Sequence, residues 1–314
     1  MASALLHALK QYYPHAEITW LAQPETAALL QDHPDLHQVL IWPRQQWSRL
    51  LKNHEYRQWW QAVRQFVTTL RGHSYDWILD IQGLLKSGIW AWLAKGQRKL
   101  GLNPKEGSRW FYDELIYSAR NEPRISSEYL AVARYLQLPV TTFPMSMPVQ
   151  VDADEVITET SDYIVICPFT TRPQKHWFDD DWVELIQRLS KPVIMLGGPG
   201  DRQHAEQLAI RSPSLINCVG QTSLQQASAI IRQADLVIGV DTGLTHLAIA
   251  HERNTIALFG STIPYRDAVN QNVRILYHPL SCSPCRRQPS CHKAYTCMRL
   301  ITPDEVLQTQ QTLC

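Results

Sequence analysis

The stretch GVDTGLTHLAIA, residues 239–250, carries residues suited to bind a small ligand. It follows the apolar run ADLVIG, so the pattern indicates a strand, a tight turn and a helix. Free amides and the positive end of the helix dipole at such a turn favour an anion. Asp241 favours hydroxyl donors instead, and either Asp241 or Thr242 can cap the helix. The turn therefore predicts either a plain capped helix or a site for a ligand with both anionic oxygens and hydroxyls.

Two further residues of the turn bear on the ligand hypothesis. Gly243 lets a ligand approach the backbone closely, because glycine has no side chain. His246 lies four residues after Thr242, about one helical turn away, where its ring can face the same anion.

A second loop, CPFTTRPQKHW, follows the apolar run YIVIC and supplies hydroxyls and cations. Thr170 and Thr171 come first, followed by Arg172, Lys175 and His176. Cations and hydroxyls at the carboxyl end of a strand suit a diphosphate. The alternative is a solvated loop with isolated charges, but two such loops in one half of the chain favour a ligand site.

Four cysteines lie close together in CSPCRRQPSCHKAYTC, at positions 282, 285, 291 and 297. A C-x2-C pair followed by two more thiols is compatible with zinc or an iron–sulfur cluster. The spacing is irregular compared with common zinc ribbons, so we predict no metal and no cofactor, and free or locally oxidised thiols at Cys282, Cys285, Cys291 and Cys297.

The elements that must position these loops alternate between short β-branched runs and amphipathic helical patterns, as parallel βαβ units do. The proline-containing region 139–158 has no clear helical period and predicts a linker. We therefore predict an α/β chain of two doubly wound, Rossmann-like domains, residues 1–150 and 151–314. Such sheets bind ligands beyond the carboxyl ends of their strands.

The last segment, LITPDEVLQTQQTLC, predicts a helix. Thr302 is suited to cap it, Pro303 to occupy the first position and Glu305 to complete a capping box.

The composition of the chain limits the classes of partner that it is expected to bind. The 314 residues include 30 basic and 29 acidic ones, and a net charge of +1 gives no global field for nucleic acid. No apolar run approaches the ~20 residues that cross a bilayer, and the N-terminus lacks the features of a signal peptide. These features predict a cytoplasmic protein.

Three stretches, GVDTGLTHLAIA, TTRPQKHW and YDWILDIQGLLKSGIWAWLAKGQRKLGLN, together resemble the ADP-heptose:lipopolysaccharide heptosyltransferases of glycosyltransferase family 9, nearest to heptosyltransferase I. The resemblance extends over nearly the whole chain, and the D-T-G-L-[ST]-H element is its most specific part. It implies a GT-B fold, in which two Rossmann-like domains face a cleft, with the acceptor in the N-terminal domain and the nucleotide in the C-terminal one. By the same resemblance, the last helix is expected to pack back across the N-terminal domain.

The resemblance also implies an activity. It is the inverting transfer of heptose from ADP-L-glycero-D-manno-heptose to the Kdo-containing inner core of lipopolysaccharide, without an obligatory metal. The implied donor-binding residues are Thr170, Thr171, Lys175, Asp241, Thr242, Gly243 and His246. Lys175 and Asp241 have the implied catalytic roles: Lys175 stabilises the departing ADP, and Asp241 holds a sugar hydroxyl. Gln82 and Lys86, in DIQGLLKS, are implied to face the acceptor.

One departure from the family pattern affects the expected activity. Family members begin with a strand and an S-x-G-D loop whose aspartate acts as general base, whereas this sequence starts after that point. General-base help is typically worth ~10²–10⁴ in rate, so the resemblance predicts impaired transfer. Two alternatives stay open: a nucleotide-sugar-binding remnant without turnover, and a related transferase with another donor or acceptor.

The tryptophan-rich stretch QQWSRLLKNHEYRQWWQAVRQF predicts an amphipathic helix over the N-terminal sheet. Arg57, Arg64 and Arg71 are spaced by seven residues and share one face. A solvated face is the simpler interpretation. The alternative is a basic patch that meets phosphorylated core sugars or the cytoplasmic face of the inner membrane.

Overall fold

The computed structural model describes most of the chain. The described ranges are residues 1–119, 127–138, 143–145, 147–148, 162–262, 271–285 and 288–313. Apart from 143–145 and 147–148, the predicted linker at 139–158 lies outside them, as does the predicted boundary at residue 150. The chain divides into two compact units, an N-terminal one that comprises Ala2–Arg120 and Ser126–Phe143, and a C-terminal one formed chiefly by Pro144–Cys314.

The N-terminal unit contains two parallel sheets, β1-β2 and β3-β4-β5. Its elements are α1 (Ser3–Tyr12), β1 (Thr19–Ala22), α2 (Pro24–Leu30), β2 (Gln38–Ile41), α3 (Arg44–Lys52), α4 (Tyr56–Leu70), β3 (Ser74–Asp80), α5 (Leu85–Leu93), β4 (Lys95–Leu102), a 3-10 helix (Ser108–Phe111), β5 (Glu114–Ile116) and α6 (Ser127–Tyr135). Leu21 of β1, Leu40 of β2 and Ile78 of β3 pack in one apolar cluster. The two sheets therefore share a core.

The C-terminal unit is built on one parallel sheet with the strand order β11-β10-β9-β6-β7-β8. Its elements are β6 (Ile164–Cys167), α7 (Asp179–Arg188), β7 (Val193–Met195), α8 (Arg202–Arg211), β8 (Leu215–Asn217), α9 (Leu224–Gln233), β9 (Leu236–Val240), α10 (Gly243–Ala250), β10 (Thr255–Phe259), β11 (Val273–Tyr277), α11 (Thr296–Arg299) and α12 (Pro303–Gln311). Every residue of β6, β9 and β10 is buried. Burial on both faces explains why these strands are continuous apolar runs rather than alternating ones.

The tryptophan-rich stretch forms two helices, α3 and α4, and not the one helix that we predicted. His54, between them, has a φ of 59°, in the left-handed region, where an α-helix cannot continue. With 15 residues, α4 is the longest helix among the described elements. No helix in the described ranges is both long and apolar enough to span a bilayer.

The last helix, α12, begins as the sequence predicts but uses only half of the expected capping box. The Thr302 side chain accepts a hydrogen bond from the Glu305 amide at 3.2 Å, with Pro303 at the first position. The Glu305 carboxylate instead lies 2.9 Å from Nε2 of His278. Within its own unit, α12 packs on α7 and β10, with Val306 in that core. That α12 also packs across the N-terminal domain stays a prediction.

Candidate functional site

The two loops predicted to bind a ligand follow neighbouring strands. β6 pairs with β9, with Cys167 opposite Gly239, so the segments that follow these strands leave the same edge of the sheet. In the first loop, Lys175 ends a short 3-10 helix that starts at Pro173. Its Nζ lies 2.6 Å from Oδ2 of Asp241, a residue 66 positions further along the chain. The structure therefore joins the two loops through an ion pair.

Asp241 is held by three side chains. Lys175 and the Thr262 hydroxyl, which donates at 2.6 Å, both contact Oδ2, while Nε2 of His246 lies 3.1 Å from Oδ1. Burial alone would raise the pKa of Asp241, whose side chain is only 11% exposed. The hydrogen bond and charge of His246, followed by the bonds from Lys175 and Thr262, outweigh burial and hold this pKa well below its usual range. Asp241 is therefore a fixed negative charge at neutral pH.

Among the described residues, the start of α10 has open space beside it. Thr242 occupies the N-cap position in an extended conformation, and within the described structure its side chain makes no capping hydrogen bond. Asp241, the other candidate cap, is engaged with Lys175, His246 and Thr262. A Cβ added at Gly243 would meet nothing within 4 Å in the described structure. The helix thus presents its first amides, with the positive end of its dipole, towards space that an anion can occupy.

Thr170 and Thr171 lie on the loop that carries Lys175. Thr170 is partly buried and Thr171 is exposed. The Thr170 carbonyl oxygen lies 2.8 Å from Nε2 of His176, a contact that folds the loop back on itself. The five residues that follow Thr170 are therefore held in a compact bend that directs Lys175 to Asp241.

The loop with the predicted acceptor residue Gln82 belongs to the N-terminal unit, and hydrogen bonds to the Asp80 side chain fix its backbone. Oδ1 of this buried residue accepts hydrogen bonds from the amides of Gln82 at 2.9 Å and Gly83 at 3.0 Å, and Tyr112 donates to Oδ2 at 2.6 Å. Burial, reinforced by Asp80, raises the pKa of Tyr112, so the phenol stays a donor. Gly83 has a φ of 64°, and a Cβ there would lie 2.1 Å from the Leu102 carbonyl oxygen.

Gln82 is exposed, and Lys86 is partly buried in the first turn of α5. The structure thus places both on one short segment at the carboxyl end of β3. The predicted donor residues all belong to the other unit.

Three residues that the sequence analysis did not single out are part of these two sites: Thr262, Asp80 and Tyr112. Thr262 follows β10, which pairs with β9, and Asp80 ends β3. Both positions follow from the rule that functional groups gather at the carboxyl ends of neighbouring parallel strands. Tyr112 had no such signal, because it lies 32 residues from Asp80 and just before an edge strand.

The cysteine-rich segment contains thiols in the structure. Cys282, Cys285, Cys291 and Cys297 all lie in the described ranges as free cysteines. Burial raises the pKa of Cys285 and of Cys297. Among the described residues, no three histidine, cysteine or carboxylate side chains are arranged to hold a metal ion.

The sequence comparisons with known proteins all point to heptosyltransferases. The sequence profile described as Glycosyltransferase family 9 (heptosyltransferase) matches residues 63–296. Lipopolysaccharide heptosyltransferase 1 of Escherichia coli K12 is 26% identical over 278 residues, which cover 81% of this chain and 82% of that protein. The protein of the same name from Pseudomonas aeruginosa PAO1 is 27% identical over 302 residues, covering 88% and 79% respectively.

Solved structures of similar proteins share the fold. E. coli heptosyltransferase WaaC with ADP has a TM-score of 0.75 and 23% identity, covering 100% of this chain and 95% of that one. E. coli ADP-heptose lps heptosyltransferase II has a TM-score of 0.76 and 19% identity, covering 99% and 93%. These likenesses confirm the predicted α/β fold of the GT-B class.

Proposed function

The chain belongs to glycosyltransferase family 9, the heptosyltransferase family, and from this premise we propose that it transfers heptose from ADP-L-glycero-D-manno-heptose to the Kdo-containing inner core of lipopolysaccharide. The observation that carries the proposal is the Lys175–Asp241 pair beside the open start of α10. This arrangement offers donors for a diphosphate and an acceptor for sugar hydroxyls within one site.

On the donor side, the diphosphate occupies the first amides of α10 and the ammonium group of Lys175. An ammonium has three N–H donors. The Asp241 carboxylate accepts one of them, with Nζ and Oδ2 2.6 Å apart, and the Asp241 carbonyl oxygen lies 3.5 Å from Nζ, at the upper distance limit for a hydrogen bond. A phosphate oxygen can therefore accept a further N–H of Lys175 without breaking the ion pair. The pair is therefore compatible with a bound nucleotide sugar.

The same groups assist the departure of ADP. As the glycosidic bond breaks, negative charge develops on the diphosphate, and the fixed cation and the helix dipole stabilise that charge. Oδ1 of Asp241 accepts from a heptose hydroxyl and orients the sugar. Because the carboxylate is held by three neighbours, it need not reorganise when the donor binds.

On the acceptor side, Lys86 and Gln82 bind the inner core, whose Kdo residues carry carboxylates. The Asp80–Tyr112 pair fixes the loop in which Gln82 lies. Inversion requires the acceptor hydroxyl to attack the anomeric carbon from the face opposite ADP, so that the new bond forms as the bond to ADP breaks, and the hydroxyl proton passes to water. Since a lipid anchors this acceptor, we place the reaction at the cytoplasmic face of the inner membrane.

A transfer assay tests the proposal. The full chain is incubated with ADP-heptose and Kdo-lipid A, and the acceptor is analysed by mass spectrometry while released ADP is quantified. We expect the acceptor to gain the mass of one heptose for each ADP released, with no gain from a UDP-hexose control. Binding of ADP-heptose without any product would contradict transfer and support the nucleotide-sugar-binding alternative.

A further inference from the structure

Helix α5 has an exposed apolar stripe. Leu85, Ile89 and Trp92 lie on one face at helical spacing and are 42%, 37% and 57% exposed. The adjoining face, with Gly88 and Ala91, is buried. Large apolar side chains in a row on a helix are unusual on a solvated surface and indicate an interaction site.

The 3-10 helix beside α5 carries a further exposed tryptophan, Trp110. The two helices are in contact, because a Cβ added at Gly88 would lie 2.8 Å from the Phe111 ring, and the rings of Trp92 and Phe111 are 6.2 Å apart. Trp110 itself is 80% exposed. We call the surface formed by Leu85, Ile89, Trp92 and Trp110 the α5 patch.

Cations lie close to the α5 patch in sequence, and two of them contact its tryptophans. Residues 85–110 include six lysines and arginines and a single acidic residue, Glu106, in a chain whose net charge is only +1. The Arg109 guanidinium lies 5.1 Å from the centre of the Trp110 ring, and Lys99 donates to the Trp92 carbonyl oxygen at 2.8 Å. Arg109 and Lys99 thus place positive charge beside the two tryptophans of the α5 patch.

We propose that the α5 patch seats the protein on an anionic phospholipid bilayer. Tryptophan rings occupy the boundary between headgroups and acyl chains, and lysine or arginine near an anionic surface adds electrostatic attraction. With nine residues, α5 lies in the plane of the interface rather than across it. A second copy of this chain is disfavoured as the occupant, because pairing two such patches would bring like charges together.

The position of the α5 patch relates it to the acceptor loop. Leu85 directly precedes Lys86, and Gln82 lies three residues before Leu85. A seated patch therefore brings these two residues to the headgroup level, where a lipid-anchored acceptor displays its sugars. This last step rests on the proposed function, whereas the membrane contact does not.

Co-sedimentation with vesicles tests the inference. The full chain is mixed with vesicles of phosphatidylcholine alone or with added phosphatidylglycerol, both free of lipopolysaccharide. We expect binding to the anionic vesicles that weakens as salt is raised, and a loss of roughly tenfold or more in the Trp92→Ser/Trp110→Ser variant. Trp60→Ser is the matched control, because Trp60 is 61% exposed on α4, outside the patch.

Two controls check that the variants keep their fold. Unchanged ADP affinity shows that the other unit is intact, and an unchanged circular dichroism spectrum shows that the whole chain is folded. Equal vesicle binding by the wild type and the double variant would overturn the inference. A loss of vesicle binding in Trp60→Ser but not in the double variant would also overturn it. The same holds if the double variant differs from the wild type only by forming a smaller oligomer, as measured by sedimentation velocity. Transfer to a deacylated acceptor, measured in parallel, separates the two proposals: intact transfer without vesicle binding overturns only the membrane contact.

Discussion

Lys175 and Asp241 form a charge pair that is shielded from water, with side chains 18% and 11% exposed. Shielding strengthens each electrostatic contact at the site, including one to a diphosphate. Asp241 keeps its two other partners, His246 and Thr262, when Lys175 is removed. The two residues can therefore be tested one at a time.

Replacing Lys175 with Ala should weaken ADP binding about ten- to a hundredfold, because a charge-assisted hydrogen bond contributes ~1.5–3 kcal/mol. Isothermal titration calorimetry measures the change. Lys191→Ala is the control, since Lys191 also pairs with an aspartate, Asp235, at 2.5 Å but at an exposed position. Equal affinities in the wild type and Lys175→Ala would remove Lys175 from the donor site.

At the scale of elements, the proposed function rests on short segments after β3, β6 and β9, and those after β3 and β9 depend on local backbone geometry. Gly83 holds the loop after β3 in a left-handed conformation against the Leu102 carbonyl oxygen. The turn after β9 leads directly into α10, whose other end is tied to α9 through His251 and Ser228, 2.7 Å apart.

Gly83→Ala should reduce transfer to the acceptor by about tenfold or more, since small displacements of positioning groups are costly in catalysis. ADP affinity should not change, because the proposed donor residues lie in the other unit. Gly107→Ala is the matched control: Gly107 also has a positive φ, 82°, but an added Cβ meets nothing within 4 Å among the described atoms. Equal losses of transfer in both variants would show that backbone strain alone, and not the contact with Leu102, is responsible.

His251 makes the α9–α10 junction sensitive to acid. Burial, followed by the charges of Arg232 and Arg253, lowers its pKa from 6.5 to about 4. A depressed pKa means that the neutral ring stabilises the fold above pH 6.5 and that this contribution is lost as the pH falls towards 4. Between pH 7 and pH 4, the free energy of unfolding should fall by on the order of 2–3 kcal/mol more in the wild type than in His251→Gln. Parallel urea-denaturation curves for the two proteins across this range would contradict the assignment.

At the scale of the whole molecule, the sequence predicts local elements better than long-range contacts. The strand, turn and helix at 236–250 were predicted correctly, because hydrophobic periodicity is a local signal. The Lys175–Asp241 pair was not, since it spans 66 positions and needs the pairing of β6 with β9. The same cause explains Glu305, whose capping role is altered by His278, 27 residues away.

The tryptophan-rich stretch shows a different limit. Its composition predicts helix throughout, yet the left-handed His54 divides it into α3 and α4. Histidine is enriched in that conformation, but only a small fraction of non-glycine residues adopts it, so His54 gives only a weak sequence signal for the break.

The central claim is that the turn at Asp241 binds the sugar while the α10 amides and Lys175 bind the diphosphate. Titrating ADP and ADP-heptose by calorimetry against Asp241→Ala and Asp241→Asn, with melting temperatures measured alongside, tests it most directly. We expect Asp241→Ala to retain much of its affinity for ADP but to lose affinity for ADP-heptose, because only the sugar loses its acceptor. Asp241→Asn keeps a carbonyl oxygen and should fall in between. Equal losses for both ligands, together with a lowered melting temperature, would contradict the account and leave Asp241 a structural residue.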